Sequence, residues 1–155
     1  MELVNKIEVV LMKSTYCEVE HQTIVIDGIP LDLLLHSQYP SDNLVGMIPT
    51  IVDWVDDSRQ KELLKERFNS EGKEIVLPVL MCPDDCDLWC TVIVANVVKI
   101  DEFIIWKQIG IDMITRDELL MGYDGIGSKV NWLDKIHPMT FQETQYISQL
   151  SKVYD

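Results

Sequence analysis

Residues 74–109, EIVLPVLMCPDDCDLWCTVIVANVVKIDEFIIWKQI, constrain the fold of this chain more than any other stretch. Two β-type runs, Ile75 to Met81 and Trp89 to Ile100, flank the turn-prone Pro83-Asp84-Asp85. A third run, Phe103 to Ile109, follows Asp101-Glu102. Val, Ile, Phe and Trp dominate these runs because branched and aromatic side chains pack well on a pleated surface. The stretch predicts an antiparallel meander near the middle of one sheet. It fixes an architecture and leaves the chemistry open.

Upstream, Leu3 to Lys13 and Tyr16 to Ile26 read as strands, the second ending in Asp27-Gly28, a dipeptide suited to a tight turn. After Pro30, Leu31 to Leu35 predicts the partner strand of a three-stranded N-terminal meander. Pro40, Gly46 and Pro49 punctuate residues 36–53, which predicts a loop in which Ser41 or Asp42 starts one helical turn. Asp56 to Asn69 is the clearest amphipathic helix of the first half. Asp57 or Ser58 can cap it, and Leu63, Leu64 and Phe68 share one side.

Downstream, Thr115 and Glu118 form a capping-box pattern ahead of Leu119, Leu120 and Met121, which are expected to pack inward. The glycine-rich residues 122–128 predict a surface loop, and Val130 to Leu133 a short strand. Thr140-Phe141-Gln142-Glu143 suggests a second capping box opening a final helix, with Tyr146, Ile147, Leu150 and Val153 on its docking face. The expected fold is α+β, a single domain over residues 1–155. Its mainly antiparallel sheet has about six or seven strands, with roughly two or three helices packed on one side or end.

Charge sets the next bound. With 13 Lys and Arg against 26 Asp and Glu, the formal net charge is −13. Such a field repels phosphate backbones and anionic lipid, and it accelerates encounter with a basic partner. Nucleic acid and membrane are therefore excluded as expected partners. The 47% hydrophobic and 25% charged content belongs to a folded chain. No apolar run approaches the ~18–20 residues of a membrane helix, and MELVNKIEVV lacks the zones of a signal peptide. A cytoplasmic protein is the expectation.

Several patterns invite chemistry. Cys82, Cys86 and Cys90 follow Cys-x3-Cys-x3-Cys, with Cys17 a fourth thiol, and suggest a zinc site. Zinc knuckles deliver two sulfurs from one tight turn, whereas neighbours on one strand face at this spacing lie ~13 Å apart. Packed free thiols account for them better. Asp84, Asp85 and Asp87, with Asp53, Asp56 and Asp57, lack the order of a calcium loop and suit turns, helix starts or an acidic contact patch. His21, His36 and His137 fall in a strand, at a loop start and before a proline, with no nucleophile paired to them. Ser37, Ser41 and Ser128 lack the Gly-x-Ser-x-Gly elbow, and the glycines at 122, 125 and 127 lack the flanking strand and helix of a dinucleotide site. The expectation is a non-enzymatic chain without a cofactor. Trp89 and Trp106 suit the core, while Trp54 and Trp132 stand beside loops with acidic neighbours.

Taken together, Ile26-Asp27-Gly28-Ile29-Pro30-Leu31, the stretch from Leu77 to Val94, Trp106 with Gly110, and Trp132-Leu133-Asp134-Lys135-Ile136 followed by Phe141 and Tyr146 carry a resemblance. They resemble uncharacterised small acidic bacterial proteins that accompany polymorphic contact-dependent toxins and are regarded as their immunity proteins. The resemblance implies stoichiometric binding of a cognate toxin domain, a basic nuclease among the possibilities, with its active site or substrate groove covered. An acidic inhibitor is steered to such a partner and can mimic its polyanionic substrate. Asp53, Trp54, Asp56, Asp57, Asp84, Asp85, Asp87 and Trp89 are the expected contact surface, aromatic anchors within a charged rim. Two alternatives stay open: an acidic module that pairs with itself, and a metal- or ligand-binding domain using Cys82, Cys86 and Cys90.

Overall fold

The computed structural model describes residues 4–72 and 74–155. In chain order the elements are β1 (Ile7–Ser14), β2 (Cys17–Ile26), β3 (Ile29–Pro30), α1 (Leu31–Gln38), β4 (Ile48–Pro49) and α2 (Ser58–Phe68). There follow β5 (Glu74–Met81), β6 (Ile93–Ile100), β7 (Phe103–Asp112), α3 (Arg116–Leu120), β8 (Val130–Trp132), β9 (Met139–Gln142) and α4 (Glu143–Tyr154). Every strand pairing is antiparallel, and the fold is α+β. The strands divide into a three-stranded sheet, β1-β2-β3, and a six-stranded sheet, β4-β5-β6-β7-β8 with β9 also on β7. Apolar side chains from both sheets and all four helices share one core.

The predicted central meander is present as β5, β6 and β7, with Leu77 opposite Ala95 and Ala95 opposite Ile109. Pro78 is tolerated inside β5 because the ladder bulges beside it. Pairing passes from Pro78↔Val94 to Leu80↔Ile93, leaving Val79 over. The carbonyl of Val79 then accepts from the Thr50 backbone at 3.1 Å, and that of Pro78 from Thr50 Oγ1 and Tyr154 Oη at 2.8 Å each. A residue that cannot complete a ladder thereby ties the sheet to the C-terminal helix.

Several expectations are corrected at the elements. Leu31 to Leu35 is the start of α1 and not a strand, so on the side away from β1 strand β2 pairs only with Ile29-Pro30. Leucine favours a helix more than the β-branched residues do, and here Leu31 and Leu35 fall one turn apart on the buried face. The buried Asp32 carboxylate accepts from the Gly46 backbone at 2.8 Å, and His36 lies in the last turn of α1, not in a loop. The predicted strand from Trp89 begins only at Ile93. Finally, Thr140 and Phe141 lie in β9, so α4 starts after Gln142 without a side-chain cap. Ser41 and Asp42 form no helix, and Leu3 lies outside the described residues.

Two further corrections concern burial. Leu119 is buried, but Leu120 and Met121 are 71% and 90% exposed, because α3 is five residues long and turns only one side inward. On α4, Tyr146, Leu150 and Val153 are buried as expected, while Ile147 is mostly outside the core. An aromatic group anchors α4. Trp106 of β7 meets Phe141 and Tyr146 edge-on at 5.2 and 6.3 Å, and Phe68 of α2 stacks on Tyr154 at 4.9 Å. Gln149 also caps the edge of β1, its Oε1 accepting from the Val9 backbone at 2.9 Å.

Candidate functional site

The N-terminal end of α2 gathers the candidate contact residues. A 3-10 turn over Val52–Trp54 leaves Asp53 exposed and sends Trp54 against the His21 ring, 5.9 Å away and edge-on. Asp56 is exposed, and Asp57 caps α2 by accepting from the Arg59 and Gln60 backbones at 2.8 and 3.3 Å. Of the two caps proposed from sequence, Asp57 is the one used.

The second aspartate group lies on the loop between β5 and β6. The chain turns back at once: Cys86 takes φ 50° and its N–H donates to the Cys82 carbonyl at 3.1 Å. Asp84 and Asp85 project into solvent, and Asp87 accepts from the Trp89 backbone at 3.0 Å. Leu88 is buried, and its N–H donates to the buried Gln60 Oε1 at 2.8 Å. The chain is thus tied to α2 at Leu88 before β6 begins at Ile93.

Tyr123 completes the join. Its hydroxyl donates to Asp57 Oδ2 at 3.1 Å and accepts from Trp89 Nε1 at 3.0 Å. The Trp89 ring meets it edge-on at 6.1 Å, and the Arg59 guanidinium lies 5.1 Å from its centroid. The two aspartate groups are thus brought to one end of one helix. Cys86 records the result: burial pushes its thiol up, and Cys17, Asp87, Asp56 and Asp85 add to the rise by their charge.

Of the eight predicted contact residues, Asp56, Asp57, Asp85, Asp87 and Trp89 converge in this way. Asp53 and Asp84 share the same exposed loops, and Trp54 is half-buried against His21 instead of standing out as an anchor. Trp89 is half-buried and bonded to Tyr123, not a core residue, whereas Trp106 is at 1% exposure. Sequence reasoning missed Tyr123, Arg59 and Gln60. The one available signal was an aromatic residue isolated in a glycine-rich loop. It missed equally the exposure of Leu120 and Met121, which lie three and two residues before this tyrosine in the chain.

Among the described residues no group of three His, Cys, Asp or Glu is arranged to hold a metal ion. Cys82, Cys86 and Cys90 therefore do not form the cage weighed from their spacing. Each carbonyl near them takes a separate thiol: Cys82 points to Thr91 and Cys86 to Pro83. A cavity of about 510 Å³ lies elsewhere, between the C-terminal end of α2 and α4, lined by Phe68, Ile75, Lys99 and Tyr146. None of the eight contact candidates lines it. What the gathered face can do chemically is present carboxylates beside aromatic and apolar side chains.

Asp57 links this face to stability. Burial opposes its charge, but hydrogen bonds from Arg59, Tyr123 and Gln60, with the Arg59 charge, outweigh burial and hold the carboxyl below its ordinary 3.8. A depressed carboxyl contributes stability that is complete above its unfolded value and is lost as pH falls through the folded one. Asp57→Ala is expected to cost about 1–2 kcal/mol at neutral pH by removing cap and Tyr123 acceptor together. Asp57→Asn keeps a capping oxygen and costs less, and its melting temperature falls less steeply than wild type below about pH 4. Thermal melts of the three proteins across pH check both outcomes; parallel acid limbs would contradict the assignment.

The described helices include none long and apolar enough to cross a membrane. No family model, no curated protein and no solved structure matches the chain.

Proposed function

We propose that the chain is a binding protein, not an enzyme, that neutralises a basic partner domain by covering it, as an immunity protein does its cognate toxin. One observation carries this reading. Aspartates from two distant loops are joined at the start of α2 by the Asp57–Tyr123–Trp89 chain and the Gln60–Leu88 bond. With a net charge of −13, this face attracts a cationic surface and repels a polyanion. Leu120 and Met121, beside Tyr123, supply the exposed apolar contact that a charged rim alone lacks. A nuclease domain, whose substrate groove is cationic, fits that description. The same charge opposes pairing of this face with a second copy of itself.

The test is binding to the protein domain encoded beside this chain's gene, measured by titration calorimetry at two salt concentrations. Wild type is expected to bind more weakly at high salt, since exposed charges are screened there. Asp84→Lys with Asp85→Lys is expected to weaken binding by about tenfold or more, chiefly through slower association. Both side chains are exposed, so the double variant folds as wild type. Binding that ignores salt and this charge reversal would dismiss the acidic face as the contact.

A further inference from the structure

The four cysteines are not equivalent. The Cys86 thiol donates to the Pro83 carbonyl at 3.3 Å and the Cys17 thiol to that of Val19 at 3.5 Å, so each is engaged locally. Cys82 differs: its Sγ reaches across the loop to within 3.7 Å of the carbonyl of Thr91, the residue that follows Cys90, and Cys90 is among the groups that raise the Cys82 thiol. Continuing the β5–β6 register beyond Leu80↔Ile93 sets Cys82 opposite Thr91, one residue from Cys90. The turn at Cys86, closed by its N–H on the Cys82 carbonyl, folds the intervening residues away from the pair. Cys90 is exposed and Cys82 half-buried, so one thiol meets solvent while the other waits behind it.

We propose that Cys82 and Cys90 form a dithiol that a peroxide oxidises to a disulfide, closing the loop that carries Asp84, Asp85, Asp87 and Trp89. The Cys90 sulfur attacks one peroxide oxygen, the O–O bond breaks, and Cys90 becomes a sulfenic acid with release of one water. The Cys82 sulfur then attacks that of Cys90, the S–O bond breaks, and a second water leaves. Two thiol protons and two electrons pass to the peroxide. Cys90 is the exposed thiol and meets the peroxide first, while burial, with the Cys90 thiol, pushes Cys82 up to about 12. The inference rests on the proposed contact face only for the loop's importance; the bond itself needs no partner.

The experiment uses the full chain, reduced and then exposed to hydrogen peroxide alone. After alkylation and denaturation without reductant, a protease that cuts before aspartate cleaves at Asp84, Asp85 and Asp87, placing Cys82, Cys86 and Cys90 on separate peptides. The Cys82 peptide is expected to be found linked to the Cys90 peptide by mass spectrometry, and the link to persist in Cys86→Ser. In Cys82→Ser a dimedone probe is expected to capture sulfenic acid at Cys90. On the folded protein the same protease is expected to cut the oxidised loop several-fold more slowly than the reduced one. A Cys17–Cys86 link, a link between chains, direct passage of Cys90 to sulfinic acid, or equal cutting rates would each overturn the proposal. These results are independent of the charge-reversal titration, so either idea can fail alone.

Discussion

Trp106→Ala is expected to destabilise the protein by about 3–5 kcal/mol, the range for removing a large aromatic side chain from a packed core. For a chain of this length that lowers the melting temperature by roughly 6–20 °C. Trp106 is among the largest fully buried side chains and meets two other rings, so its removal opens space that neither sheet can fill. Its indole N–H also donates to the Tyr146 hydroxyl at 3.0 Å, and Tyr146 is itself buried. Burial pushes that hydroxyl well above its ordinary range, so it stays neutral and needs the partner that alanine removes. Trp106→Phe keeps much of the volume and loses the bond, and is expected to cost less than half as much. Denaturant unfolding followed by circular dichroism separates the two. Equal losses in both variants would place the effect in the hydrogen bond rather than in packing.

The second large effect is expected at Arg67, in the last turn of α2. Its Nη1 donates to the Val76 and Ile126 carbonyls at 2.8 and 2.6 Å, and its Nη2 to that of Asp124 at 3.0 Å. One guanidinium thus fastens α2 to β5 and to the segment after Tyr123. Burial lowers its pKa, with Asp124 and Asp112 opposing, yet an arginine remains charged. Arg67→Met is expected to cost about 2–4 kcal/mol because three carbonyls lose a charged donor at once. Arg67→Lys recovers little, since an ammonium lacks the planar fork that reaches three acceptors. Hydrogen exchange should accelerate over residues 122–127 in the methionine variant, where Gly127 also donates to Asp112 at 3.0 Å. Protection unchanged over that segment would remove Arg67 from this role.

Much of the architecture is legible because its signals are local. The β5–β7 meander follows from branched and aromatic runs, α2 from spacing and a capping aspartate, and α3 from the Thr115–Glu118 box, which forms as written. Failures arise where a distant partner decides. Leu31 to Leu35 fits either period, and the Gly46 bond to Asp32 is invisible in the string. Trp89 to Val92 has strand composition, and the loop bonds of Leu88 to Gln60 and of the Trp89 indole to Tyr123 are invisible in the string. Leu120 and Met121 look like core because the sequence does not show that only the Leu119 side of this short helix faces inward.

The candidate face divides in the same manner. Its aspartates can be picked out by composition, and their two groups look unrelated. Their meeting depends on Tyr123, a residue from a third region that a glycine-rich context marks only as loop. Trp54 shows the opposite failure, since acidic neighbours suggest an outward anchor while His21 claims the ring.

The start of α2 separates two kinds of carboxylate. Asp57 is built into the scaffold, whereas Asp53, Asp56, Asp84 and Asp85 stand free of it on exposed loops. Side chains of the second kind can be exchanged for others with little disturbance to the folded state. On the proposed function, the specificity of this face is open to change one loop position at a time while the framework beneath is kept intact.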